Sequence, residues 1–242
     1  MADYRITIAG DSAINLEFAQ KISPETSTAI RMAALRLTDD PIDGVTELIP
    51  TFCALMVQYD PTVVLYDELV EQLVGKLQHL GTAHFGSKKI HIIPVCYGGD
   101  FGPDLGTVAA HAGIAEDEVV SIHSEPDYLI DMLGFLPGFA YLGGLDPRLH
   151  TPRLEKPRLR IEAGAVGIGG AQTGVYPLPS PGGWQIIGRT PLRPYDPNRE
   201  VPILYAAGEY LRFVPITPGE YTSIEAQLAS GTYVYGIVEE GA

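Results

Sequence analysis

Arg189 closes an apolar run, Trp184-Gln185-Ile186-Ile187-Gly188, in a chain with only 16 basic residues against 30 acidic ones. A guanidinium fork at such a place suits a carboxylate or a phosphate bidentately. An ion pair with one of the many acidic residues is the competing reading. Gln172, Thr173 and Gln185 are neutral donors and acceptors able to read an amide, although turn capping accounts for the threonine equally well. His123 stands just before the apolar run that leads to residues 134–144, where it is either a substrate contact or a satisfied core histidine. Ser180 lies between two prolines with no GxSxG around it, which makes it a turn serine rather than a nucleophile. Arg153 and Arg158, each following a proline, lean toward structural ion pairs. No residue is assigned as acid, base or nucleophile.

Residues 132–144 read MLGFLPGFAYLGG, with three aromatics, four glycines and a proline in thirteen positions. That composition is too rich in Gly and Pro for a helix core and too apolar for an ordinary loop. Phe135, Phe139 and Tyr141, spaced by small residues, supply a rigid apolar wall for a cleft. Gly138 and its neighbours allow close backbone approach, and Pro137 stiffens the segment. Packing alone is the other account of the same aromatics. The glycine-rich run over 162–191 does not cradle phosphate. GxxxxGK[ST] is absent, and Gly167-Ile168-Gly169 is followed by Gln172 where GxGxxG needs its third glycine. The six histidines show neither HExxH nor ligand-like clustering, so neither a metal nor a nucleotide is expected on this chain.

These residues need a scaffold, and the two halves of the chain differ in grammar. Tyr4, Ile6 and Ile8 alternate with polar neighbours as a half-buried strand does, and Ile14, Leu16 and Phe18 continue after the Gly10-Asp11 turn. Ser23-Pro24-Glu25 starts a helix, with Ile30, Ala33, Ala34 and Leu37 on one face. Val45–Ile49 and Cys53–Tyr59 read as strands. Leu69, Val70, Leu73, Val74, Leu77 and Leu80 make a second helical stripe, and Ile90–Val95 is a further strand. The order β-α-β-β-α-β predicts a ferredoxin-like α/β domain over residues 1–90.

Over 91–242 two short helices, near Asp104–His111 and Glu116–His123, precede many short strands punctuated by Gly and Pro. Those strands are expected at Tyr128–Leu133, Ala165–Ile168, Gly183–Ile187, Ile203–Leu204, Tyr210–Val214 and Thr232–Val238. The pattern predicts a mainly β domain, sandwich or barrel. The net charge of −14 argues against nucleic acid as a partner. No run of about 18 apolar residues offers a membrane span. Cys53 and Cys96 are isolated, and the N-terminus lacks a leader pattern, so a reduced, cytoplasmic setting is expected.

GFLPGFAYLGGLDPRL, PRL-x-x-PR, AGAVGIGGAQTGVYPLPSPGGWQIIGRTP and AAGEYLRFVPI together resemble the signature blocks of the family of 5-oxoprolinase B subunits. That family is also labelled allophanate hydrolase subunit 1 and includes an inhibitor of the sporulation histidine kinase. The resemblance implies an α/β domain followed by a cyclophilin-like β-barrel, an α+β chain overall. It implies direct partnership with the C subunit of 5-oxoprolinase. It further implies a complex, completed by the A subunit, that opens 5-oxo-L-proline (pyroglutamate) to L-glutamate with hydrolysis of ATP. ATP would then be used by the complex and not held by this chain. The alternatives within the same resemblance are inhibition of a sensor histidine kinase by protein binding, and a place in a urea carboxylase or allophanate hydrolase system. Two departures stand out. Glu162-Ala163-Gly164-Ala165 replaces the usual Pro-Ala-Gly-Ser, and Gly169-Gly170 stands where Ile/Ala-Gly is usual, which reads as a mild steric change.

Overall fold

The computed structural model describes residues 4–18, 23–78 and 87–241. The chain forms two compact units, Met1–Phe85 and Gly86–Ala242.

The first unit runs β1 (Arg5–Ile8), β2 (Ala13–Glu17), α1 (Pro24–Asp39), β3 (Val45–Pro50), β4 (Ala54–Tyr59) and α2 (Tyr66–Leu77). Ser23 caps α1 as its sequence demands, its Oγ accepting from the Thr26 amide at 3.2 Å. Ile30, Ala33 and Leu37 of α1 and Leu69, Leu73 and Leu77 of α2 are buried against Ile14, Leu16, Leu55 and Val57 of the sheet. Each large aliphatic side chain among them contributes about 1.5–3 kcal/mol of transfer free energy. Val74, expected on the same stripe, is 38 % exposed, and Leu80 falls outside the described residues.

The sheet is antiparallel in the order β1-β2-β4-β3. A complete β-α-β-β-α-β unit would return its last strand to this sheet. Instead the strand expected at Ile90–Val95 belongs to the second unit, and β1, folded back on β2 by a hairpin, holds the edge. The expected division at 90/91 would also cut that strand. The strand is β5 (Lys88–Tyr97), whose every pairing lies beyond residue 86.

After β5 come α3 (Leu105–Ala112), α4 (Glu116–Ser124), β6 (Asp127–Leu133), β7 (Ala140–Gly143), β8 (Arg158–Ile161), β9 (Ala165–Gly169) and β10 (Gln172–Val175). Then follow β11 (Ser180–Gly182), β12 (Gln185–Arg189), β13 (Tyr210–Pro215), α5 (Pro218–Ser230) and β14 (Ile237–Glu240). Seven strands close on themselves in the order β12-β9-β10-β7-β6-β13-β5, with β5 pairing back to β12. The second unit is therefore a barrel, not a sandwich, and closure removes the exposed edges of those strands. The joint is Gly188↔Tyr97 and Arg189↔Cys96. Only glycine fits at 188, where a Cβ would meet Val95 Cγ1 at 2.7 Å and the Cys96 carbonyl oxygen at 2.9 Å. β14 is added outside the ring on β5, and β8 with β11 forms a separate ribbon.

The barrel interior is filled, not hollow. Ile93, Val95, Tyr128, Ile130, Leu142, Val166, Ile168, Ile187, Leu211 and Phe213 form one buried cluster with Leu105, Val108, Val119 and Ile122 of α3 and α4. Ile203–Leu204 makes only an isolated bridge, Tyr195↔Ile203, and the last strand, expected at Thr232–Val238, lies later, at Ile237–Glu240. α5 has no counterpart among the expected elements. Its signal is nevertheless present as Thr217-Pro218-x-Glu220, a capping box. The Thr217 Oγ1 accepts from the Glu220 amide at 3.3 Å, and a Glu220 carboxylate oxygen accepts from the Thr217 amide at 2.8 Å. Among the described residues no helix is long and apolar enough to cross a membrane.

Candidate functional site

The segment 132–144 is a hairpin joining the end of β6 to β7. At its tip the Leu136 amide donates to the Gly134 carbonyl at 2.7 Å, across Phe135 at φ 63°. This is a γ-turn of the left-handed kind, rare and strained for a residue with a Cβ. Phe135 is the only non-glycine residue with positive φ among the described residues, and it is 63 % exposed. Strain and exposure thus coincide on one aromatic residue. The Tyr205 hydroxyl holds the turn from behind, donating to the Gly138 carbonyl at 2.8 Å.

Phe135 is the outermost ring of an aromatic cluster. Phe139, 2 % exposed, is its hub. The hub meets Phe135 at 5.6 Å and 87°, Tyr176 at 5.4 Å and 85°, Trp184 at 5.6 Å and 74°, and Tyr141 at 5.1 Å and 57°. These are edge-to-face or tilted geometries, which the ring quadrupoles favour. Burial raises the Tyr176 phenol to about 12, so it stays a neutral donor. The rings surround an open cleft of about 310 Å³, completed by Arg153, Pro157, Pro181, Gly182 and Gly183.

Arg153 is the cation of this cleft. Its guanidinium carbon lies 5.9 Å from the Trp184 ring centroid, and it makes no ion pair among the described residues. Two hydrogen bonds hold its backbone beside the tryptophan: Leu154 N to the Gly183 carbonyl at 2.7 Å, and Gln185 Nε2 to the Pro152 carbonyl at 3.0 Å. Arg158, by contrast, is committed to structure. It donates to Asp104 Oδ1 at 2.7 Å and to the Trp184 carbonyl at 3.3 Å, while Asp104 Oδ2 accepts from the Ile186 amide.

The glycines around the cluster chiefly clear room for rings. A Cβ on Gly169 would sit 2.3 Å from Trp184 Nε1 and 2.4 Å from its Cδ1, and one on Gly182 would sit 2.6 Å from the Tyr176 hydroxyl. The Gly169 departure is consequently not mild: the indole fills the volume that a methyl would take.

Of the residues singled out by sequence, Phe135, Phe139 and Tyr141 meet in the cleft. Pro137 and Gly138 line a second hollow of about 290 Å³ on the other side of Phe135, with Leu133, Gly134, Leu136 and Ile203. His123 is a correction. It is fully buried on α4, its ring stacked 4.7 Å from that of Phe213. Its Nδ1 accepts from the Tyr97 hydroxyl at 2.8 Å and its Nε2 donates to Thr173 Oγ1 at 2.8 Å, which in turn donates to the Gly167 carbonyl at 3.0 Å. That chain fixes the neutral tautomer, and burial lowers the pKa to about 3. Thr173 shares this fate, buried and committed. Gln185 is a positioning residue for the Arg153 segment. Gln172 is half-buried on β10 and does not line the cleft.

Arg189, expected to bind a carboxylate, lies at the barrel joint and outside the cleft lining. Its Nε is buried without a protein acceptor. Sequence reasoning missed Tyr176, Trp184 and the availability of Arg153. The tryptophan had a signal, being the chain's single one within a glycine-rich block; the freedom of Arg153 had none.

The sequence over residues 4–205, spanning the first unit and most of the barrel strands, matches the family described as carboxyltransferase domain, subdomain C and D. The Kluyveromyces lactis urea carboxylase superposes over 98 % of this chain and 24 % of its own, at a TM-score of 0.80 and 19 % identity, a likeness of fold. Within that class, the B subunit of 5-oxoprolinase from Bacillus subtilis is 39 % identical over 90 % of this chain and 95 % of its own length. That of Escherichia coli O157:H7 is 44 % identical over 89 % and 97 %. The chain belongs to the family of 5-oxoprolinase B subunits.

Proposed function

We propose that this protein is the non-nucleotide-binding B subunit of an ATP-dependent 5-oxoprolinase, acting with the A and C subunits on 5-oxo-L-proline. The observation that carries the reading is the cleft itself: an aromatic wall beside a guanidinium that has no ion-pair partner among the described residues. 5-Oxo-L-proline presents a flat ring with apolar methylenes and one carboxylate, and the cleft offers a surface for each. Arg153 takes the role that the sequence assigned to Arg189, that of holding the carboxylate.

A lactam resists water because amide resonance lowers the electrophilicity of its carbonyl carbon. Transfer of the γ-phosphoryl group from ATP to the carbonyl oxygen removes that resonance and releases ADP. Water then adds to the carbon, the ring C–N bond breaks with its electron pair going to nitrogen, and a glutamyl phosphate results. A second water releases phosphate and leaves L-glutamate. This chain contributes binding and orientation of the ring, and exclusion of bulk water, through Phe135, Phe139, Tyr141, Tyr176 and Trp184. Nucleotide binding falls to a partner, since neither phosphate-loop pattern occurs here. The relatives' designation as one subunit among several, and the exposure of Phe135 at the mouth of the cleft, support completion of the site by another polypeptide.

The test is reconstitution. Mixing this chain with the A and C subunits should give 5-oxoproline-dependent release of phosphate, lost when any one component is omitted. Turnover that persists without this chain would refute the proposal.

A further inference from the structure

We infer that the second unit carries another ligand site, for a zwitterionic amino acid or short peptide with an apolar body. A cavity of about 770 Å³ lies between α5, the 191–204 loop and the 231–235 segment, and it shares no lining residue with the aromatic cleft. Its volume is that of a small-molecule site. Leu192, Leu204 and Leu228 with Tyr233 and Tyr235 provide the apolar body of the lining, while Arg193, Arg199, Asp196 and Glu225 provide two charges of each sign.

Two of the four charged groups, Arg199 and Asp196, are held in place before any ligand arrives. Arg199 is fixed by Nη2, which donates to the Pro194 carbonyl at 3.0 Å and the Pro202 carbonyl at 2.8 Å; its Nε is buried with no protein acceptor. The Asp196 carboxyl is held below its ordinary range by the Asn198 amide donating to Oδ1 at 2.9 Å, so it is ionised at neutral pH. Arg193 is exposed and makes no ion pair among the described residues. The Tyr235 hydroxyl is buried without a hydrogen-bond partner among the described residues, its ring 5.6 Å from that of His91.

Charge decides the ligand class. A polyphosphate would meet the repulsion of Asp196 and Glu225 on a chain of net charge −14. A wholly apolar molecule would desolvate four charged side chains with nothing in return. A ligand with a carboxylate for the arginines, an ammonium for Asp196 and Glu225, and an aliphatic side chain for the leucines meets each of the four charges and the apolar wall.

Isothermal titration of the full chain with glycyl-L-leucine tests this. Saturable binding is expected. N-acetylglycyl-L-leucine, which lacks the ammonium, and glycyl-L-leucinamide, which lacks the carboxylate, should each bind about tenfold more weakly. Arg193→Gln should weaken the preference for the free carboxylate, and Glu225→Gln the preference for the free ammonium, each leaving the other preference intact. Arg153→Met, in the other cleft, should leave the affinity unchanged. No saturable heat up to about 10 mM peptide, equal binding of all three peptides, or loss of binding in Arg153→Met would overturn the assignment.

Discussion

Gly169→Ala puts the packing of the aromatic cleft under direct strain. The new Cβ would stand 2.3 Å from Nε1, 2.4 Å from Cδ1 and 2.7 Å from Cε2 of Trp184. Carbon atoms rest about 3.5–4.0 Å apart, so the indole must move by about 1 Å or more. It cannot retreat freely, because Phe139 packs at 5.6 Å and Tyr176 at 6.0 Å. Overpacking of this kind costs about 1–3 kcal/mol. With a urea dependence of about 2 kcal/mol per molar, the unfolding midpoint should fall by about 0.5–1.5 M.

Trp184 is the sole tryptophan of the chain, so its fluorescence reports both the midpoint and the local environment of the ring. Gly170→Ala is the control. Nothing lies within 4 Å of its Cβ, but φ is 67°, so it should cost about 1–2 kcal/mol of backbone strain. That variant should keep the wild-type native emission, whereas Gly169→Ala should shift it and lower turnover of the reconstituted enzyme. Unchanged native emission and midpoint in Gly169→Ala would refute the packing on which the cleft depends.

Arg153→Met should raise KM for 5-oxoproline about tenfold or more, as loss of a hydrogen-bonded charge implies, with the urea midpoint nearly unchanged because Arg153 is exposed. Arg189→Met, outside the cleft, should leave that KM as it is. Phe135→Gly should stabilise the second unit by about 1 kcal/mol by relieving the left-handed turn, while weakening assembly with the partner subunits in analytical ultracentrifugation. The second unit should lose stability as pH falls. His123 has a folded pKa of about 3 against an ordinary value near 6.5, so the unfolded chain binds the extra proton first. Its contribution is complete above the unfolded value and is lost as pH drops toward the folded one, about 2 kcal/mol of it between pH 7 and pH 5. His91, also lowered by burial, acts with the same sign. Urea unfolding at the two pH values measures the loss, and His123→Gln should reduce the difference.

Local structure was legible where the signal is local. The Ser23 cap, the Ile30-Ala33-Leu37 and Leu69-Leu73-Leu77 stripes, the alternation at Ile14 and Leu16, and the strand within Cys53–Tyr59 all appear as read. The barrel was expected from the family resemblance, but its closure was not legible in the local pattern, since it rests on pairings between residues far apart in sequence: β13 lies parallel to β5, and Arg189 reaches back to Cys96. No short-range pattern distinguishes the strand Ile90–Val95 as the last of one sheet from the first of another. The site divided along the same line. Phe135, Phe139 and Tyr141 announce themselves as a cluster within one hairpin, and the structure keeps them together. Which arginine lines the cleft is a property of the tertiary neighbourhood: sequence favoured Arg189, which lies at the barrel joint, while Arg153 stands beside Trp184. His123 misled because an isolated histidine looks the same whether it faces substrate or, as here, is consumed between Tyr97 and Thr173.

The central claim is that the cleft around Trp184 receives the lactam once a partner completes it. Fluorotryptophan incorporated into this chain alone gives one fluorine resonance, from position 184, inside an otherwise unlabelled complex. Titration of the assembled enzyme with 5-oxo-L-proline and a non-hydrolysable ATP analogue should shift that resonance saturably, and Arg153→Met should weaken the response. A resonance that stays fixed while the complex demonstrably binds substrate would place the lactam elsewhere and contradict the account.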